Sequence, residues 1–162
     1  MAKVYLETSF VSACVSDRTD AASVYRRDIS LSWWSEQARW HDVSVSAEVF
    51  FELSSPGYRR STEALKLIET LPLLSVTPEV TGIAAAFVRE QVMPGPPGAG
   101  DSIHVALACV HGIDYVLSWN VKHLANVQKL NHLRVVCRRL GVVPPLIITP
   151  DLLWGVKPDD QA

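Results

Sequence analysis

Short apolar runs alternate along the chain with longer segments in which apolar residues recur at helical spacing. A short apolar or alternating run predicts a strand, whereas the longer period predicts a helix. The runs that predict strands are residues 3–6, 43–45, 73–76, 115–118 and, as a possible fifth, 146–148. The segments that predict helices are residues 21–40, 46–53, 62–71, 78–92 and 101–111, with a further helix within 126–140.

Strands separated by helices predict an α/β fold, in which a short parallel sheet of about four to five strands is flanked by helices on both faces. The strongest loop signal is residues 93–100, which contain three prolines and three glycines. We expect this loop to lie inside one domain, because neither half of the chain holds a complete sheet. The predicted domain covers residues 1–155, and residues 156–162 are expected to form a flexible tail.

Helix boundaries are signalled by residues that cap free backbone groups. Thr8 and Ser9 follow the first apolar run and are good caps for a helix start, as is Ser46 after the second. Asp101 could cap the helix that follows the proline-glycine loop. Gly112 is a natural end for that helix.

The composition indicates a globular protein, with 48% apolar and 20% charged residues. Its net charge of −2 neither indicates nor excludes binding to nucleic acid, since local patches of positive charge matter more for such binding than the total charge. No apolar run approaches the roughly 18 residues of a membrane span, and the first residues lack the apolar core of a secretory signal. We therefore expect a cytoplasmic protein. Cys14, Cys109 and Cys137 lie in apolar surroundings, which favours buried free thiols over a disulfide or zinc site.

Four side chains with oxygen donors stand near the ends of predicted strands or the starts of helices: Glu7, Glu52, Asp101 and Asn120. The carboxyl ends of parallel strands meet at one edge of a sheet, where ligands bind. Oxygen donors gathered at such an edge suit a hard cation such as Mg²⁺ or Mn²⁺.

Each of these residues also has an ordinary structural interpretation. Glu7 could be a surface acid or a helix-dipole partner. Glu52 shares a helix face with Glu48 and could be solvated, although its neighbours are apolar. Asn120 could make a turn, and His104 could be a packed, hydrogen-bonded core residue.

Taken in order, four motifs resemble those of the PIN domain family. The first is Val4-Tyr5-Leu6-Glu7-Thr8-Ser9, and the second runs from Val45-Ser46 to Glu52-Leu53. The third is Gly100-Asp101-Ser102-Ile103-His104-Val105-Ala106-Leu107-Ala108. The fourth is Leu117-Ser118-Trp119-Asn120. The resemblance extends to about Leu153 and implies a three-layer PIN-like fold.

The resemblance to the VapC-like branch of that family implies a ribonuclease toxin of a VapBC-type toxin–antitoxin pair. Such an enzyme would hold one or two Mg²⁺ or Mn²⁺ ions and hydrolyse RNA phosphodiester bonds. The metal ligands and catalytic residues carried over from the motifs are Glu7, Glu52, Asp101 and Asn120. The supporting residues are Thr8 and Ser9, either of which could orient Glu7, and His104. The chain departs from the family at Glu7, where aspartate is usual, and at Asn120, a neutral oxygen where many relatives have a carboxylate. We therefore expect a weaker second metal site or one-metal chemistry.

The resemblance also implies RNA, antitoxin and homodimer partners. Basic candidates for contacts to RNA are Arg26, Arg27, Arg59, Arg60, Lys122, His123, Arg134, Arg138 and Arg139. Lys122 and His123 are favoured because they lie closest in sequence to the predicted site, whereas Trp119 is expected in the core rather than on a base. Trp33 and Trp34 are adjacent and cannot both point into one core, so the helix predicted over residues 21–40 is a plausible dimer surface.

Two alternatives remain open at this stage. The fold could persist without catalysis, as a scaffold that binds RNA or a partner. A nuclease of the same fold could also act on DNA or on a particular nucleic-acid structure.

Overall fold

The structure is a computed structural model that describes residues 1–124 and 126–155. Its centre is a sheet of five parallel strands, in the order β3-β2-β1-β4-β5. The strands are β1 Lys3–Leu6, β2 Asp42–Ser46, β3 Leu73–Leu74, β4 Tyr115–Leu117 and β5 Leu146–Ile148. The α/β fold expected from the alternating pattern is confirmed.

Helices cover both faces of this sheet. They are α1 Thr8–Cys14, α2 Ala21–Glu36, α3 Ala47–Leu53, α4 Ser61–Ile68, α5 Pro78–Arg89, α6 Asp101–Val110 and α7 Val127–Leu140. Connections between parallel strands are right-handed. The connections from β1 to β2 and from β2 to β3 run toward one edge of the sheet, whereas those from β3 to β4 and from β4 to β5 run toward the other, so the two sets place their helices on opposite faces. One layer therefore holds α1 to α4 and the other α5 to α7, and helices contact mainly within their own layer. This three-layer arrangement is consistent with the PIN-like fold that the resemblance implies.

Burial follows from this layering. Val4, Tyr5 and Leu6 of the central strand are fully buried because both faces of β1 are covered. In α6, every residue from 102 to 109 is buried, so this helix is packed on all sides. The three cysteines are buried and free, as expected, although Cys109 Sγ and Cys137 Sγ approach to 3.9 Å.

Several boundaries differ from the sequence-based expectation. The cap of α1 is neither Thr8 nor Ser9 but Glu7, whose carboxylate accepts from the Ser9 backbone N–H at 3.1 Å. Asp101 is the first residue of α6 rather than its cap, because Gly100 takes the cap position at a φ of 68°. Ser46 holds the cap position of α3 but makes no capping hydrogen bond.

The helix predicted over residues 21–40 ends at Glu36 and is followed by the 3-10 helix Ala38–Trp40. The side chain of Gln37 accepts from the backbone N–H of Gly155 at 2.9 Å, so a long-range contact fixes this break. Of the adjacent tryptophans, Trp33 is buried and Trp34 is half-buried against the core, so neither is the exposed residue that we expected. Across residues 1–124 and 126–155, none of the helices combines the length and apolar character of a bilayer span.

Candidate functional site

The strand order places a topological switch point between β1 and β4. The chain leaves β1 toward β2 on one side and leaves β4 toward β5 on the other. Crevices for ligands open beyond the carboxyl ends of strands at such points. Glu7 directly follows β1, and Asn120 lies just after β4, so both stand at this crevice.

The Glu7 side chain is buried and held through one of its two oxygens. Oε2 accepts hydrogen bonds from the Ser9 backbone N–H at 3.1 Å and from Ser118 Oγ at 2.9 Å. The Ser9 hydroxyl donates to the same oxygen and accepts from the Trp119 backbone N–H at 2.8 Å. Oε1 has no hydrogen-bond partner among the described residues. The carboxylate is therefore oriented, with one oxygen left for a ligand.

Glu52 on α3 shows the same pattern. Its Oε1 accepts from Thr8 Oγ1 at 3.0 Å and also from His104 Nε2. In the part of the chain that the structure covers, no donor reaches Oε2. Burial alone would raise the pKa of Glu52, but the hydrogen bond and charge of His104 outweigh it and lower that pKa. Glu52 is therefore a carboxylate at neutral pH.

A buried chain of hydrogen bonds supports His104. Its Nδ1 shares a hydrogen bond of 2.6 Å with the Tyr5 hydroxyl, which shares another of 2.8 Å with Ser46 Oγ. Burial opposes the charged imidazolium, yet the hydrogen bond to Glu52 and the nearby carboxylates raise the pKa of His104. Burial raises the pKa of Tyr5 well above its usual value, so this side chain remains a neutral phenol.

Asp101 and Asn120 are less tightly engaged. Asp101 is half-buried at the start of α6, and within the described residues its carboxylate has no hydrogen-bond donor. Burial raises the pKa of Asp101, as does the charge of Glu52, whereas His104 and His123 oppose the shift. Asn120 Oδ1 accepts from the His123 backbone N–H at 3.3 Å, so this residue makes the turn that was its ordinary interpretation.

The donor chemistry of these residues fits a hard divalent cation. All the candidate donors are oxygens, and Glu7 and Glu52 each keep one oxygen unengaged. Within residues 1–124 and 126–155, however, no group of three or more His, Cys, Asp or Glu side chains is arranged to hold a metal ion. Glu7 and Glu52 both line the cleft described below, whereas Asp101 is not among the residues of its wall.

A cleft of about 540 Å³ opens at this crevice. Glu7, Glu52 and Asn120 lie in its wall, but Asp101, Lys122 and His123 do not. The cations in its wall are Arg18, Arg26, Arg59 and Arg60. The last three were among the candidates from sequence, whereas Arg18 was missed because it lies in a segment that reads only as a polar loop. Lys122 and His123, the residues favoured from sequence, are exposed outside the cleft.

Other site residues were also missed from sequence. Ser118 binds Glu7, and Tyr5 and Ser46 support His104. A tyrosine in an otherwise apolar central strand was the available signal, because a buried phenol needs a hydrogen-bond partner. Glu48, which shares a helix face with Glu52, was given no role from the sequence, yet its Oε1 accepts from the Gly100 backbone N–H at 3.0 Å and so holds the start of α6.

Comparison with known proteins does not place the chain in a family. No family model matches it, and no curated protein matches it. Its function is therefore inferred from the residues at the carboxyl edge of the sheet.

Proposed function

We propose that the protein is a Mg²⁺- or Mn²⁺-dependent endoribonuclease that hydrolyses RNA phosphodiester bonds in this cleft. One observation carries the proposal. Glu7 and Glu52 each have one oxygen fixed by the protein and one without a partner among the described residues, and both line a cleft that also contains four arginines. Carboxylates that can hold a cation beside guanidinium groups that can bind phosphates suit metal-dependent hydrolysis of a phosphodiester.

The chain's own residues have distinct roles in this proposal. Glu7 and Glu52 would hold the cation from the cleft wall, with Asp101 as a further ligand from the start of α6, outside that wall, and Asn120 as a supporting ligand or a group that positions water. A divalent cation held there would supply charge neutralisation on the phosphate and a lower pKa for bound water. Ser9 and Ser118 keep Glu7 in one orientation, and Thr8 and His104 do the same for Glu52. Such preorganisation removes the cost of ordering these groups when substrate binds.

The biological setting that we propose is that of a VapC-like toxin in the cytoplasm, silenced by an antitoxin and acting as a homodimer. The resemblance of the four sequence motifs to PIN domains supports this setting. A second observation in its support is the apolar surface of α2 and of the 3-10 helix after it, where Tyr25, Leu31 and Trp40 are each more than 40% exposed. Apolar side chains exposed on one segment mark a protein partner where they form a contiguous patch, and this part of the proposal rests on these three forming one.

A second candidate is a PIN-like scaffold that binds RNA without cleaving it. It is favoured by the engagement of Glu52 with His104, and by the lack of a three-residue metal cluster among the described residues. Divalent binding separates the two candidates, because a scaffold does not need it.

The test is cleavage of a mixed tRNA and mRNA panel by antitoxin-free protein, with Mn²⁺ or Mg²⁺ and with chelator. Asp101→Asn and Glu7→Gln remove a charge each at nearly constant volume. Glu79→Gln, on the exposed first turn of α5, is the matched control. Each variant is checked for folding by circular dichroism.

If the protein is a nuclease, wild type and the Glu79→Gln control should cut RNA in a metal-dependent way. Asp101→Asn and Glu7→Gln should both lose this activity. A folded wild type that neither cuts RNA nor binds Mn²⁺ by calorimetry would support the scaffold instead. A parallel panel of single- and double-stranded DNA separates a DNA-directed enzyme, which would cut that panel and spare the RNA.

A further inference from the structure

The cleft contains a guanidinium group that is held by an aromatic ring. The Arg26 side chain lies over the Trp119 ring, with 5.5 Å from the guanidinium carbon to the ring centroid. That ring is itself fixed, because Trp119 Nε1 donates to Ser30 Oγ at 2.8 Å. Tyr25 packs edge-on against it, with 6.1 Å between the ring centroids. The guanidinium of Arg26 therefore packs on the ring of Trp119, a side chain that is itself almost fully buried.

The other arginines of the cleft are already engaged. Arg59 pairs with Asp17, and Arg18 lies 3.8 Å from a carboxylate oxygen of Asp20. Arg60 donates to the carbonyl of Val15 at 2.9 Å and also lies 3.3 Å from a carboxylate oxygen of Glu63.

Arg26 differs from all three. Among the described residues, no carboxylate lies within ion-pair distance of it. Arg26 is thus a positive charge in the cleft wall that no described carboxylate neutralises.

Its position points to an anionic group of the substrate. Arg26 shares the cleft wall with Glu7, Glu52 and Asn120. A strand whose phosphodiester reached the two carboxylates through a cation would therefore run along a wall that also presents Arg26. We propose that Arg26 binds a non-bridging phosphate oxygen of single-stranded RNA, and that Trp119 is the residue that positions it. This inference rests on the proposed function and deepens it.

The chemistry of the pair suits a phosphate better than a base. The guanidinium fork matches two phosphate oxygens, and a stacked arginine loses less freedom when it binds. The Trp119 ring contacts Arg26 and Tyr25, so it is not free as a platform for base stacking. A cleft of about 540 Å³ has the volume of a small-ligand site, so a single strand is the form of RNA that the proposal places there.

The test measures binding without cleavage. A short, mixed-sequence, fluorescein-labelled RNA strand is titrated with wild type and variants in chelator, and anisotropy gives the dissociation constant at several salt concentrations. Arg27→Ala is the matched control. Arg27 is next in sequence on the same helix and is not among the residues of the cleft wall. It donates to Asp28 and, at 3.4 Å, to the carbonyl of Ser16.

We expect Arg26→Ala to weaken binding about tenfold, because it removes a charge-assisted hydrogen bond to phosphate. It should also reduce the slope of log affinity against log salt by about 0.7, the value for one contact to a single strand. Arg26→Lys keeps the charge, so it should keep the slope while losing part of the affinity. Arg27→Ala should change neither quantity.

The result that overturns the inference is binding by Arg26→Ala that matches wild type and Arg27→Ala in both affinity and slope. An absence of RNA binding by wild type would also overturn it, as would an arginine effect seen on a DNA strand of the same sequence but not on RNA. Failure of the proposed function looks different. Binding that depends on Arg26, without any cleavage in Mn²⁺, would retain this subsite and remove the nuclease, whereas cleavage indifferent to Arg26 would do the reverse.

Discussion

Glu52 and His104 share a hydrogen bond although 52 residues separate them in sequence. Glu52 lies on α3 and His104 on α6, so the bond joins the two helical layers at the carboxyl edge of the sheet. The pair is also charged, because each partner shifts the pKa of the other toward its ionised form. Removing the charge from either partner should therefore lower the free energy of unfolding and disturb the orientation of Glu52, a proposed metal ligand.

This ion pair predicts a window of pH in which it stabilises the fold. The pKa of His104 is raised from 6.5, so its contribution is complete below that pH and is lost as the pH rises through the folded pKa. The pKa of Glu52 is lowered from 4.5, so its contribution is complete above that pH and is lost as the pH falls through the folded pKa. We expect the free energy of unfolding of wild type to exceed that of Glu52→Gln most between pH 4.5 and 6.5.

Urea unfolding followed by tryptophan fluorescence, in chelator and at a series of pH values, measures this difference. Glu79→Gln serves as the control and should follow the wild-type profile throughout. Parallel profiles for wild type and Glu52→Gln would mean that the pair is not charged in the folded protein.

The Tyr5 hydroxyl links two buried polar groups, and its removal should be costly. Tyr5→Phe leaves both His104 Nδ1 and Ser46 Oγ without that partner, since the hydroxyl lies 2.6 and 2.8 Å from them. We expect the free energy of unfolding to fall by about 1–3 kcal/mol. Ser46→Ala should cost less, because the hydroxyl then keeps its bond to His104. Chemical denaturation of the two variants checks the order, and a Ser46→Ala effect as large as that of Tyr5→Phe would contradict it.

Ser9 connects the carboxyl end of β1 to that of β4. Its hydroxyl donates to Glu7 and accepts from the Trp119 backbone N–H at 2.8 Å. Ser9→Ala should lower the free energy of unfolding by about 1.5–3 kcal/mol, since one of the two bonds is to a charged group. Ser12→Ala lies on the same helix and cleft wall and should stay within about 0.5 kcal/mol of wild type. Equal thermal and urea stability of the two variants would show that this junction is not needed.

Much of the fold could be predicted because local patterns and burial agree. After the exposed Lys3, the run Val4-Tyr5-Leu6 is apolar and forms the fully buried part of the central strand. Helix boundaries were harder, because their caps depend on contacts remote in sequence. The break after Glu36 is fixed by Gln37 through Gly155, and nothing between residues 21 and 40 signals it.

The candidate site shows the same division. The convergence of Glu7, Glu52 and Asn120 on one cleft could be predicted, because parallel strands share a carboxyl edge. The supports of these residues could not. Tyr5 meets His104 across 99 residues of sequence, and only the folded layers reveal that Arg18 faces the same cleft as Glu52.

Asp101 offers a direct test of metal binding that does not depend on cleavage. Burial and the charge of Glu52 raise its pKa, so its ionised form is destabilising in the absence of a cation. In chelator, Asp101→Asn should therefore unfold at a higher temperature than wild type. Addition of Mn²⁺ should stabilise wild type and Glu79→Gln, by about 2.7 kcal/mol at 100 times the dissociation constant, and should leave Asp101→Asn unchanged. Differential scanning calorimetry makes both comparisons. If Mn²⁺ stabilised Asp101→Asn as much as wild type, Asp101 would not be a ligand of the cation, because replacing a ligand weakens metal binding and so reduces the stabilisation that the metal gives.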